Sequence, residues 1–144
     1  MIATRQLCTF KLGESLFGVD AKNVQEVIRY QEMTRVPMAP PAISGLINLR
    51  GQIVTAVDLR TRLGLEPRKG DKLPMNVVVR SDDGAVSLLV DQIGDVVEVD
   101  SDNFEEPPDT LRGPARDLIR GAYKLDGQLL LLLDCELAVQ VPTE

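Results

Sequence analysis

At 144 residues the chain has the length of one domain and can bury a core without disulfide or metal staples. Its formal net charge of −6 argues against a nucleic-acid surface, which draws its affinity from clustered Lys and Arg. Apolar residues make up 44% of the sequence but aromatics only 3%, so the core is one of Val, Leu, Ile and Ala, a composition that favours strands.

In chain order, Gln6–Leu12 and Leu16–Asp20 read as strands around a turn at Lys11-Leu12-Gly13-Glu14. Asp20 is placed to cap one or two helical turns over Ala21–Val27, with a strand at Val27–Tyr30 behind them. Val36–Pro41 is predicted as an extended connector, because proline lacks the donor a central strand needs. Gly45–Leu49 and Gln52–Asp58 flank a turn at Arg50-Gly51, and Asp58 caps a short helix over Leu59–Leu63. Met75–Arg80 and Ala85–Asp91 flank Asp82-Asp83-Gly84, and a strand at Val96–Val99 and a second connector at Glu105–Pro108 follow. Ile119–Tyr123 and Gln128–Asp134 flank Asp126-Gly127, and Asp134 caps a helix over Glu136–Val139.

The sequence repeats itself. The segment beginning at Ile43 aligns without gaps on the one beginning at Ile119, with Ile43/Ile119, Gly45/Gly121, Leu49/Leu125, Gly51/Gly127, Gln52/Gln128 and Asp58/Asp134 identical. A weaker echo pairs the strand ending at Asp20 with the one ending at Asp91. Two similar half-chains of short strands predict an all-β fold of two small five-stranded barrels that fold as one unit, since neither alone buries enough apolar area to offset its chain entropy. The approximate halves are residues 13–70 and 71–144 of a single domain covering 1–144, with crossover of the terminal strands open. Gly51 and Gly127 turn hairpins, whereas Gly45 and Gly121 mark places where a second backbone comes close.

Chemistry is sparse. The chain has no histidine, and Cys8 and Cys135 lie in apolar stretches outside any CxxC pattern, so they read as free buried thiols of a reducing compartment. Asp20, Asp58, Asp91 and Asp134 read as caps, and Asp82-Asp83, Asp100, Asp102, Glu105 and Glu106 as solvated loops that do not fit the calcium-loop pattern. Neither a Walker-type glycine loop nor GxGxxG occurs. No catalytic residue, cofactor or metal is expected. The opening MIATRQLCTF lacks the basic and apolar regions of a secretion signal, and no apolar run reaches the length of about 18 residues that a spanning helix needs, so a cytoplasmic location without direct membrane contact is expected.

Leu12–Asp20, Val24–Val27, Thr34–Pro37 and above all Gly45–Arg60 (GLINLRGQIVTAVDLR) closely resemble the CheW family, as do Leu89–Val96 and Gln128–Glu136, so that the resemblance spans essentially the whole chain. Asn48-Leu49-Arg50-Gly51 is its most specific part. Thr55-Ala56 departs from the family's usual proline and apolar residue, and Ala42 from a frequent aromatic. The resemblance implies two intertwined SH3-like barrels and a non-catalytic coupling protein that joins the cytoplasmic tips of methyl-accepting chemoreceptors to the regulatory domain of a CheA-type histidine kinase, recruited to membrane receptor arrays. Two other readings stand beside it: a CheW-like adaptor whose output is pili, gliding or gene expression, and a small-ligand sensor with a site between the barrels. Weak self-association through exposed strand edges also fits small barrels.

The resemblance places Val24, Glu26, Val27 and Arg50 along the receptor-binding groove between the barrels. Ala21, Val24, Val27 and Ile28 would share one apolar face of the expected helix, with Gln25 and Glu26 on another. Asn48, Leu49, Arg50 and Gly51 form a kinase-binding or structural motif. Two roles fit Arg50: a guanidinium clamping a partner carboxylate, or an internal ion pair to an aspartate such as Asp58 or Asp91.

Overall fold

A computed structural model describes residues 4–82 and 84–141. Strands β1 (Thr4–Leu12) and β2 (Ser15–Asp20) form a hairpin, followed by a single 3-10 turn at Ala21–Asn23 and strand β3 (Val24–Ile28). A second hairpin, β4 (Ile43–Leu49) and β5 (Gln52–Asp58), leads into helix α1 (Leu59–Arg62). A third, β6 (Met75–Ser81) and β7 (Gly84–Val90), continues into β8 (Gln92–Asp100), a 3-10 turn at Ser101–Asn103 and the two-residue β9 (Phe104–Glu105). Helix α2 (Pro114–Leu118), the hairpin β10 (Ile119–Leu125) and β11 (Gln128–Leu133), and helix α3 (Cys135–Val139) complete the order.

Two sheets result, a six-stranded one in the order β8-β1-β2-β11-β10-β9 and a five-stranded one in the order β3-β6-β7-β5-β4. Each is joined through one parallel seam, β2 on β11 (Leu16 opposite Leu130) and β5 on β7 (Thr55 opposite Val86). In the six-stranded sheet the first hairpin therefore lies beside the last, and in the five-stranded sheet β3 pairs with β6 some fifty residues later, so neither sheet can form until distant parts of the chain meet.

The repeat is preserved in the backbone. The registers of β4 on β5 and of β10 on β11 slip at the same place, between Ile43 and Gly45 and between Ile119 and Gly121. The Asp58 N–H donates to the Ala42 carbonyl at 2.7 Å, and the Asp134 N–H to the Leu118 carbonyl at 2.8 Å. A Cβ on Gly45 would lie 2.7 Å from the Thr34 carbonyl oxygen, and one on Gly121 would lie 2.7 Å from that of Glu105 and overlap the Phe104 ring. Both glycines thus admit a second backbone, Thr34 bridging to Leu46 in one barrel and β9 pairing with β10 in the other.

Three apolar clusters follow from the alternation of the strands. Leu7, Leu16, Val99, Tyr123, Leu130 and Leu132 fill one side of the six-stranded sheet. Ile47, Leu49, Val54 and Val78 fill the corresponding side of the five-stranded sheet. The largest cluster draws on both: Phe10 and Phe17, stacked with centroids 5.9 Å apart, meet Val57, Val77, Leu88 and Val90 together with Leu59, Leu118 and Cys135 from the three helices. Arg62 of α1 reaches across and donates to the carbonyls of Leu137, Ala138 and Gln140, at 2.8, 3.2 and 3.0 Å, satisfying the acceptors at the end of α3.

Some expected elements differ. Val24–Val27 is strand, not helix, because β3 gains a ladder on β6 (Val24 opposite Val79, Val27 opposite Val77) that a lone helical turn could not match. The shared apolar face expected for Ala21, Val24, Val27 and Ile28 does not exist: the strand turns Val24, Glu26 and Ile28 inward and leaves Gln25 and Val27 exposed. The strand expected at Val27–Tyr30 accordingly begins earlier and ends at Ile28. Strand β8 is longer than Val96–Val99, its start masked by Gly94, which packs on Thr9 with no room for a Cβ. Helix α2 was not among the expected elements, although Pro114 at its first helical position marks its start, and the connector expected from Glu105 begins inside β9.

Gly45→Ala is expected to lower unfolding free energy by about 1–3 kcal/mol, the usual cost of overpacking. Urea denaturation should show a reduced midpoint at unchanged slope; an unaltered midpoint would contradict the close approach of Thr34.

Candidate functional site

The turn between β4 and β5 carries the most distinctive part of the sequence. Arg50 and Gly51 both take positive φ, 52° and 88°, the pair of left-handed residues that a tight hairpin requires. Asn48 steadies the turn by accepting the Gly51 N–H on its side-chain oxygen at 2.8 Å, and Leu49 is buried in the cluster of the five-stranded sheet. Three residues of the motif thus hold the turn, and Arg50 is what the turn displays, with 74% of its side chain exposed.

Arg50 makes an ion pair, through Nη2, with Glu26 of β3. The partner is neither Asp58 nor Asp91, both of which are engaged elsewhere. Strands β3 and β4 are the two edges of the five-stranded sheet, so this pair spans the seam where the sheet closes on itself. Thr34 and Leu46 exchange backbone hydrogen bonds at 2.8 Å along the same seam. Glu26 is largely covered, Val24 is half-buried against the shared core, and Val27 is 39% exposed. Strand β3 thus carries the ion-pair partner of Arg50 on one face and the exposed Val27 on the other.

A second polar cluster was not legible from the sequence, where Asp91 reads as a cap. Asp20, Asp58 and Asp134 do cap, accepting from the N–H groups of Lys22, Arg60 and Leu137 at 3.0, 3.1 and 3.1 Å. Asp91 instead accepts from the Gly13 N–H at 2.6 Å, from Arg60 Nε and Nη2 at 3.0 and 2.5 Å, and from Arg68 Nε at 2.8 Å. Burial acts to raise its pKa, but the hydrogen bonds from Arg60, Gly13 and Arg68 and the Arg60 charge outweigh it and hold the carboxyl well below the usual carboxylate range. The signal that could have found this knot is the arginine after Asp58-Leu59, which the paired position in the second half, Glu136, lacks.

Nothing in these clusters assembles a nucleophile. Burial, with Asp134 and Glu136 beside it, pushes the Cys135 thiol up to about 11, the reverse of activation. Among the described residues no group of three or more acidic or thiol side chains could hold a metal, and no helix is long and apolar enough to cross a membrane.

Asp91→Asn is expected to reduce stability at neutral pH by about 2–3 kcal/mol, since it leaves two guanidinium groups without their carboxylate. The folded-state pKa lies below the unfolded value of about 3.9, so the contribution is fully present above that pH and is lost as pH falls toward the folded value. Melting curves of both proteins should therefore converge on acidification; a deficit that stayed constant with pH would contradict the assignment.

Comparison with known proteins follows the same geometry. Residues 6–142 match the family model described as the CheW-like domain. The chemotaxis protein CheW of Treponema pallidum is 31% identical over 133 residues, covering 90% of this chain and 78% of the relative. The probable chemotaxis protein CheW of Rhizobium etli is 29% identical over 132 residues, covering 92% and 85%. The crystal structure of the scaffolding protein TtCheW from Thermoanaerobacter tengcongensis superposes with a TM-score of 0.85 at 28% identity, over 99% of this chain and 97% of that one.

Proposed function

This chain belongs to the family of CheW-like domains, and from that membership we propose that it is a non-catalytic coupling protein that joins chemoreceptor tips to the regulatory domain of a CheA-type histidine kinase. It works in the cytoplasm and is recruited to receptor arrays at the membrane through those partners. The observation that carries the reading is the sheet seam: Val27 exposed on β3, and on the other face of that strand Glu26 paired with Arg50, which a turn whose other residues hold it presents to solvent. A receptor helix offers an apolar stripe with polar flanks, and Val27 and the exposed Arg50 offer it one contact of each kind.

Arg50 then has two functions. Its bond to Glu26 fixes the orientation of β3 against the turn, and its exposed face remains available to a partner carboxylate. An exposed ion pair contributes at most about 1 kcal/mol to folding, so its loss should alter binding far more than stability. Signal transfer is a coupling free energy between the receptor and kinase interfaces and needs no bond-making step.

Capture of purified receptor tip and kinase regulatory domain on the immobilised chain tests this. Val27→Asp is expected to abolish receptor capture while retaining the kinase, and Arg50→Ala to weaken receptor capture with melting temperature nearly unchanged. The exchange Glu26→Arg with Arg50→Glu separates the two functions of Arg50: recovery of binding assigns it to orientation, continued loss to direct contact. Equal capture of both partners by wild type and Val27→Asp, or capture of neither by wild type, would overturn the reading.

A further inference from the structure

Strand β3, which carries both Glu26 and Val27, is an edge strand of five residues. Its ladder on β6 is interrupted by one extra residue, Gln25, between Val24 opposite Val79 and Glu26 opposite Val78. Few ladder bonds and a bulge hold a strand weakly. Side chains of β6 hold it at both ends instead. Arg80 Nη1 donates to the carbonyls of Lys22 and Val24 at 3.2 and 3.4 Å, and Asn76 Nδ2 donates at 3.0 Å to the carbonyl of Arg29, just past the last residue of the strand. Glu26 and Val27 lie between these two anchors.

Asn76 is 1% exposed, and its side-chain oxygen accepts the hydroxyl of Ser87, wholly buried on β7, at 2.7 Å. Alternation puts both on the face where Val78 joins the cluster of Ile47, Leu49 and Val54, so a polar pair stands in an apolar interior. Exchanging both partners of such a bond for apolar groups of the same shape costs a core almost nothing, so packing does not call for the pair. Beyond each other, the one hydrogen bond their side chains make among the described residues is the bond to Arg29. What that bond does is fix the place where β3 ends.

We propose that Asn76, braced by Ser87, and Arg80 are positioning residues for receptor binding: they hold β3 from its two ends, so that Val27 stays displayed and Glu26 stays within reach of Arg50. This rests on the coupling reading above and adds that the receptor contact depends on a buried residue the receptor cannot touch. Because both anchors bond main-chain carbonyls, they act on the course of the strand and leave its side chains free for the partner.

Amide hydrogen exchange followed residue by residue by NMR, urea denaturation, and capture of purified receptor tip and kinase regulatory domain test this in two variants, Arg80→Met and the double substitution Asn76→Leu with Ser87→Ala. In the double variant the Arg29 carbonyl passes to water, since Arg29 is exposed, and the urea midpoint is expected to match wild type or rise. Exchange in β3 should accelerate about two- to tenfold, the worth of one hydrogen bond, while amides bonded between β6 and β7 are unchanged. Receptor capture should fall several-fold with kinase capture retained. Arg80→Met, on an exposed side chain, should reproduce these effects from the other end of the strand without altering the core. Unchanged β3 exchange in both variants, a lowered midpoint with exchange accelerated equally between β6 and β7, or full receptor capture by both variants would overturn the proposal. Capture of no receptor by wild type would overturn the coupling reading instead, and the exchange pattern, which needs no partner, would still decide whether the anchors hold β3.

Discussion

Asp91 stands where the chain leaves the five-stranded sheet for the six-stranded one, between β7 and β8, and the two barrels are locked together around its carboxylate. Gly13 brings the β1–β2 turn to it, Arg60 brings α1, and Arg68 brings the segment that leads to β6. The Asp91 N–H also donates to the Lys11 carbonyl at 3.0 Å, so both the backbone and the side chain of one residue hold the first hairpin against the rest. Each of these segments belongs to a different part of the sequence, and their meeting point coincides with the edge of the shared apolar core. Burial of that core supplies most of the stabilisation, but it is non-directional, and the four donors on Asp91 fix which arrangement the burial favours.

The first hairpin crosses over to pair with the last, and this joins the two repeated segments around one shared core. Phe10 and Phe17 from the first hairpin stack directly across the strands and face residues of β5, β6 and β7, so removing either half would leave the large cluster open to water. The guanidinium of Arg62 on the carbonyls ending α3 ties the two equivalent helices by a bond that exists in one direction only. Symmetry of sequence therefore yields near-symmetry of backbone with distinct surfaces: one half presents Arg50 at its turn, whereas the equivalent residue of the other is Asp126. Unlike surfaces on a common frame suit the coupling role proposed above.

Much of this was legible beforehand because it is local or periodic. The hairpins announced themselves by alternation around Arg50-Gly51 and Asp126-Gly127, and the repeat predicted that Gly45 and Gly121 would serve the same purpose, as they do. What failed was set by contacts far away in sequence. Ala21–Val27 has a helical pattern, yet pairing with β6, some fifty residues later, makes its second half a strand and turns Val27 outward. Asp91 resembled three true caps in its local setting, and only the fold brings Arg60 and Arg68 to it. The partner of Arg50 was likewise hidden, because Glu26 becomes its neighbour only when β3 and β4 end at opposite edges of one curled sheet.

The central claim is that this frame exists to hold a kinase at a receptor. Sedimentation of receptor-bearing membranes with a CheA-type kinase, with and without this chain, measures that directly. The account predicts that kinase appears in the membrane pellet in an amount that rises with added chain and saturates. Kinase that pellets equally in its absence, or a chain that stays in the supernatant while receptor and kinase are both present, would contradict it.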